Sequence, residues 1–315
     1  MTDPPTPFSD VPSDVPVAVP TSARRYRVVH RTEYRYGAPM LDGYSVACVL
    51  ARPTPSQQVI STALTTDPAT DERDERDDVF GNRIVQVGVH HPHDGLVLEA
   101  VTEALVWRQE LPRTEVAWER VSAQVSGLRG PPALDVAPYV APSRFVPIAS
   151  HRDALESFVR ASFTPGRGVV EATIAFCTQI FENLVFDPTF TEISTPLDVV
   201  LAERRGVCQD FAHLATGGLR VLGLPARYVS GYIETDPPPG EPKVFGADAS
   251  HAWCSVWIPD HGWLDLDPTN GIVRPDRHVT IGWGRDYADV APVRGVVIGP
   301  ASSQSLSVAV DVARI

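Results

Sequence analysis

From Arg24 onward the chain alternates side chains with a period of two: Tyr26, Val28 and His30 fall on one face of an extended segment, and Arg27, Val29 and Arg31 on the other. Successive side chains of a strand point to opposite sides, so this period predicts half-buried β structure. The runs YSVACVLARP, QVISTALTTDP, NRIVQVGVHHP and LVLEAVTEALVW keep the same character, with turn signals at Tyr36-Gly37, Asp42-Gly43, Gly81-Asn82 and Asp94-Gly95 between them. Short strands punctuated in this way predict an antiparallel β-sandwich over residues 24–126. Residues 1–23 hold six prolines and no periodicity, which predicts a disordered tail. Residues 127–151, rich in proline, glycine and alanine, read as a linker.

A helical period takes over in the second part, 152–300. Helices are expected from about Asp153 to Ala161 and from Gly168 to Asn183, and NLVFDPTF then reads as extended. In STPLDVVLAERRGVCQD, Thr195 suits a helix cap, Pro196 the first helical position and Asp198 a returning capping contact. Gly206 breaks that helix. Cys208 opens another, whose Phe211, Leu214, Ala215, Leu219 and Leu222 recur at helical spacing until Gly223 and Pro225 stop it. ARYVSGYI, HAWCSVWIP and GWLDLDPTNG follow as strands. Helices first and strands afterwards predict an α+β domain with an antiparallel sheet, which VTIGWG, VRGVVIG and the strand extension 301–315 should continue or edge.

Charge and composition narrow the function. Apolar residues make up 43% and charged residues 21% of the 315, as in ordinary globular chains. The net charge of -12 and the lack of basic runs with interleaved aromatics argue against a nucleic-acid partner. The proline-rich, acidic start lacks the basic and apolar regions of a signal peptide, and no apolar run is long enough to span a membrane; a cytoplasmic location with no membrane partner is the expectation. The acidic run DPATDERDERDD, residues 67–78, reads as a charged surface loop, since its spacing matches no calcium loop. HHPH, residues 90–93, reads as a turn in preference to a metal cluster. No metal site and no cofactor are called for.

Cys48, Cys177, Cys208 and Cys254 show neither a CxxC pair nor zinc spacing, and are expected to be free thiols. Cys208 differs from the others by its place at a helix start, where unpaired N–H groups and the peptide dipoles favour thiolate over thiol. A nucleophilic thiol also needs a base and a group that orients the base. His251 opens one expected strand and Asp267 closes the next across the PDHG turn, so the two can meet. Each residue also has a plain structural reading: a buried thiol, a strand-capping imidazole, a turn-forming aspartate. On the residues alone, both readings stand.

The stretches LAERRGVCQDFAHLATGGLRVLGLPARYVSGY, SHAWCSVWIPDHGWLDLDPTNG and GRDYADVAPVRGV closely resemble the bacterial transglutaminase-like superfamily, a branch of the papain-like cysteine enzymes. YRYGAPM and DVFGN resemble the β domain that accompanies it, so the likeness runs over roughly residues 24–300. It implies a β-sandwich followed by a papain-like α+β catalytic domain, with a Cys-His-Asp triad at Cys208, His251 and Asp267. Asp265 is the nearby competitor for the orienting role, and His213 is expected to pack inside its domain. HAWCSVW departs from the family pattern at Cys254 and Ser255, where valine and glutamate are common. Cys254 has the opposite strand parity to His251 and should face the core.

The implied chemistry is acyl transfer from a peptide, isopeptide or glutamine side-chain amide of a peptide or protein substrate. The Cys208 backbone N–H, and with less claim Gln209, are the oxyanion candidates; Trp253 and Tyr232 are the candidates for the substrate cleft. Hydrolysis is the leading reading, with protein-glutamine amine transfer and a catalytically silent peptide-binding module as the alternatives. Oligomeric state leaves no trace in this sequence.

Overall fold

The computed structural model describes residues 19–190, 192, 195–235, 250–300 and 303–315. The tail expected over 1–23 lies outside the described residues up to position 18. The chain opens with strands β1 (Arg24–Met40), β2 (Asp42–Ala47), β3 (Gln57–Asp67), β4 (Glu72–Asp77), β5 (Arg83–Val89) and β6 (His93–Val106). β6 shows why they form: from Leu96 every second residue is buried, so one face is committed to a core and the other to solvent. Ala47 of β2 and Val85, Val87 and Val89 of β5 pack against Leu64 of β3 and Leu96, Leu98 and Ala100 of β6, closing two sheets into the expected sandwich. Each valine or leucine among them, taken out of water, stabilises the fold by about 1.5–3 kcal/mol.

Helices α1 (Trp118–Gly127), α2 (Pro131–Val136), α3 (Arg152–Val159) and α4 (Val169–Asn183) come next, followed by β7 (Val185–Phe186), α5 (Leu197–Glu203), β8 (Arg205–Gly206) and α6 (Cys208–Val221). β9 (Ala226–Ile233), β10 (Ser250–Ile258), β11 (Gly262–Asp267), β12 (Ile272–Val273) and β13 (His278–Gly284) form an antiparallel sheet in the order β12-β11-β10-β9-β13. α6 lies against β10 with Phe211, Leu214, Leu219 and even its glycines out of solvent. Gly218 is required there: a Cβ would stand 2.6 Å from the ring of Phe176 on α4. Thr195 does not cap α5; its hydroxyl accepts the Glu192 N–H, and Pro196 takes the cap position.

Three segments differ from the sequence reading. The acidic run is not a loop: Glu72–Asp77 is an edge strand paired to β5, and its solvent-facing charges deter further strand addition. Residues 127–151 do not form a bare linker, because Val136, Tyr139, Val146 and Ile148 are buried, the last two in the same core as α6. Prolines interrupt their apolar pattern, so no period announces it. The last strands, β14 (Val293–Ile298) and β15 (Gln304–Arg314), return to the sandwich, pairing with β2 and β1; of the C-terminal runs only β13 joins the second sheet. An antiparallel strand carries no mark of which distant edge will accept it.

The two halves meet along β13. This edge strand has β9 on one side, and on the other Gln57 and Asn82 take the place of a strand. Gln57 Oε1 accepts the Thr280 N–H at 2.8 Å while its Nε2 donates to the Thr280 carbonyl at 2.7 Å. Asn82 does the same to Trp283, at 2.9 and 2.8 Å. Around them Tyr26, Val28, Ile84 and Val310 of the sandwich share an apolar core with Tyr232, Val279 and Ile281.

Candidate active site

The parallel pairing of β7 with β8 fixes the chain just before Cys208. Gly206 lies so close to the following helix that a Cβ would meet Asp210 Oδ2 at 2.7 Å, and that same carboxylate oxygen accepts the Val207 N–H at 2.8 Å. The turn into α6 is thereby pinned, and Cys208 is its first residue. Its thiol is partly exposed, whereas Cys48, Cys177 and Cys254 are buried. Burial pushes the Cys48 and Cys254 thiols up to about 12 and raises that of Cys177 as well, so none of the three is a thiolate at neutral pH.

The β10–β11 hairpin brings the imidazole and the carboxylate together. His251 Nε2 donates to Asp267 Oδ2 at 2.8 Å, and the Cys208 thiol lies close enough to the His251 ring to help raise its pKa. With Nε2 committed to Asp267, Nδ1 is left for the sulfur. Burial alone would lower the His251 pKa, but the Asp267 charge and hydrogen bond, helped by Cys208, raise it above the usual histidine value. Asp267 is fully buried, which would raise its own pKa. The His251 charge and the hydrogen bonds prevail and hold it below the ordinary carboxylate range. An acid kept ionised against an imidazole is what a proton-transfer pair requires.

Asp267 has further partners that the sequence reading did not find. Its Oδ1 accepts the N–H groups of Thr269 at 3.0 Å and Asn270 at 3.2 Å. Its Oδ2 accepts from Asn270 Nδ2 at 2.6 Å and from His278 Nε2 at 2.8 Å. The Asn270 contact was legible as a tight Asp-Pro-Thr-Asn turn; nothing in the local sequence ties His278, on another strand, to Asp267. His251, Asp267 and His278 are the one group among the described residues whose potential ligand atoms lie mutually within 4.8 Å. In the observed arrangement both imidazole nitrogens direct protons at the carboxylate, so a metal ion would have to displace the hydrogen bonds that define the site.

Other expected site residues fall elsewhere. Trp253 is fully buried behind the imidazole, its ring stacked on His251 at 6.1 Å, and it cannot touch a substrate in this arrangement. Tyr232 is not in a cleft either: its hydroxyl bonds His30 Nδ1 at 2.8 Å within the core between the two halves. Aromatic side chains on a strand give no sign of which face meets solvent. Gln209 stays half-buried beside Cys208 in the first turn of α6. Asp265 bonds Ser255, not His251, which assigns the orienting position to Asp267 alone of the two. Cys254 faces α6 and receives the Thr216 hydroxyl. His213 packs internally, stacked on Phe145 and accepting the Tyr287 N–H, and burial lowers its pKa to about 3. In HHPH, His90 and His91 pair with Asp42 and Asp71 at the surface, at 2.7 and 3.1 Å. Val185 and Phe186 of β7, which pairs with β8 just before Cys208, and Ile272, two residues after Asn270, are exposed apolar side chains. Among the described residues no helix is long and apolar enough to cross a membrane.

Residues 157–268 match the Transglutaminase-like superfamily, and residues 26–104 match the Bacterial transglutaminase-like N-terminal region. An uncharacterised protein of Mycobacterium tuberculosis is 37% identical over 310 residues, covering 95% of this chain and 96% of the relative; one from Mycobacterium leprae is 31% identical over 296 residues, covering 92% and 99%. A protein-glutamine gamma-glutamyltransferase of Pseudomonas aeruginosa is 35% identical over 113 residues, which are 34% of this chain and 17% of that one. The crystal structure of a candidate cysteine protease from Cytophaga hutchinsonii superposes with a TM-score of 0.72 at 23% identity, over 94% of this chain and 92% of the other, and shares its fold. The chain belongs to the bacterial transglutaminase-like superfamily, with that family's N-terminal β domain preceding the α+β core. Membership is consistent with thiol-dependent hydrolytic or acyl-transfer activity.

Proposed function

We propose that the protein is a cysteine hydrolase that cleaves an amide of a peptide or protein through a thioester. The observation that carries this reading is the His251 ring, bonded to buried Asp267 and lying beside a thiol at the start of α6. In the proposed cycle His251 takes the Cys208 proton, the sulfur attacks the carbonyl carbon, and the imidazolium returns the proton to the departing nitrogen. Asp267 holds the ring's tautomer and stabilises its charge. The oxyanion forms at the N-terminus of α6, where the Cys208 backbone N–H can donate to it and the helix dipole favours negative charge. Water reaching the partly exposed Cys208 then resolves the thioester.

Amine transfer is the second reading, favoured by the likeness to the glutamyltransferase over 113 residues. Mass spectrometry of a glutamine-containing peptide incubated with and without a primary amine separates the two. Conversion of glutamine to glutamate in both cases marks hydrolysis, and an amine adduct marks transfer. Either product should vanish in Cys208→Ala. If the wild-type protein forms neither product and Cys208 also resists alkylation by iodoacetamide at neutral pH, the protein is a binding module and not an enzyme.

A further inference from the structure

A second imidazole bonds the same carboxylate oxygen as His251. His278 donates from Nε2 to Asp267 Oδ2 at 2.8 Å, its ring edge-on to His251 at 5.3 Å and to Trp253 at 5.0 Å. A carboxylate only accepts, so Nε2 carries a proton. Nδ1, equally buried, has no hydrogen-bond partner among the described residues. A histidine that leaves one nitrogen unsatisfied in a core is a poor choice for stability, since an aliphatic side chain would fill the space without the orphaned atom. What histidine supplies here, and leucine would not, is the one N–H aimed at Asp267.

Resting on the acyl-transfer reading above, we propose that His278 is a positioning residue: it holds the Asp267 carboxylate in the orientation that keeps Oδ2 on His251. The geometry explains the need. Oδ1 is anchored by two backbone N–H groups of its own turn and Oδ2 by the Asn270 side-chain amide of that turn, so beyond the turn, among the described residues, Oδ2 is held toward the base on a different strand by His278. His278 approaches Oδ2 from β13, whose edge Gln57 secures at Thr280, two residues along. The ring is buried among Trp253, His251, Asp267 and Asp265, and burial lowers its pKa, so it donates its proton as a neutral imidazole and adds no charge to compete with His251.

The test measures the iodoacetamide alkylation rate of Cys208 at neutral pH, together with thermal stability, in the full chain and its variants, with Cys208→Ala marking background labelling. His251→Ala should slow labelling strongly; if it does not, the acyl-transfer reading fails first, independently of His278. With that reading intact, His278→Leu is expected to slow labelling by about tenfold, the scale of one hydrogen bond to a charged group. His278→Gln places an amide N–H where Nε2 stood and should restore the rate to within about threefold of wild type, while His278→Asn, whose nitrogen falls short, should not. The Gln and Asn variants keep the comparison decisive if the leucine protein does not fold. Equal rates in wild type, Gln and Asn proteins would overturn the proposal. So would a wild-type rate changed by chelator or by added zinc in a His278-dependent manner, which would make the cluster a metal site.

Discussion

Burial lowers the pKa of both His251 and His213, which lie in the same domain, yet the two end on opposite sides of the usual histidine value. His213 has no carboxylate bonded to its ring and stays neutral far into acid; His251 shares a hydrogen bond with buried Asp267 and holds its proton above the usual range. The linked stability follows by sign. Asp267, depressed, stabilises the fold above its unfolded pKa of about 3.9 and loses that contribution as pH falls through its lowered native value. His251, raised, contributes fully below about 6.5 and loses its contribution as pH climbs through its raised native value. The pair therefore stabilises most between about pH 4 and pH 6.5. Asp267→Asn should cost about 3 kcal/mol in that window, and the deficit should narrow toward alkaline pH, measured by urea unfolding of both proteins across the range. A deficit that is flat from acid to base would contradict the ion pair. These residues were legible because Cys208, His251 and Asp267 each sit in a short distinctive stretch at an element's end. His278 was not: its role comes from a pairing across the sheet, and local sequence carries no such information.

At the scale of elements, α6 was the easiest to read, since Phe211, Leu214 and Leu219 recur at helical spacing. What the periodicity could not show is how closely its neighbours approach. Gly217 and Gly218 look like helix-weakening residues; in the fold they are the surface against which α3, α4 and α5 pack, with Phe176 almost touching Gly218. Gly218→Ala sets a propensity gain of about 1 kcal/mol against an overpacked contact of about 1–3 kcal/mol. Phe176 is fully buried and meets Phe158 and Phe163 edge-on, so the ring has little room to retreat and the clash should prevail. The expected outcome is a net loss of about 1–2 kcal/mol, relieved when Phe176→Leu is added in a double-mutant cycle. Additive losses would place the strain elsewhere. β4 was missed for the opposite reason: its polar outer surface hides the two-residue period, because an exposed edge strand has little need of apolar residues.

Across the whole molecule, the sandwich and the catalytic sheet are joined by a shared apolar core and by side chains acting as a substitute strand. Gln57 and Asn82 lie in turn-flanking positions of the sandwich, and their sequence context suggests nothing beyond surface polarity; yet Gln57 is buried and satisfies both backbone groups of Thr280. That contact spans 223 residues, beyond the reach of any local pattern. Gln57→Leu would keep most of the volume while leaving the Thr280 N–H and carbonyl buried without partners. Each such loss costs about 1–3 kcal/mol, so a drop of about 2–4 kcal/mol in unfolding free energy is expected. Gln57→Glu, with its volume kept but its donor gone, should also lose stability at neutral pH, because the Thr280 and Arg52 carbonyls would then face a carboxylate. If both variants unfold with wild-type midpoints and slopes in urea, the amide clamp does not join the halves and the apolar contact around Tyr232 and Val279 suffices.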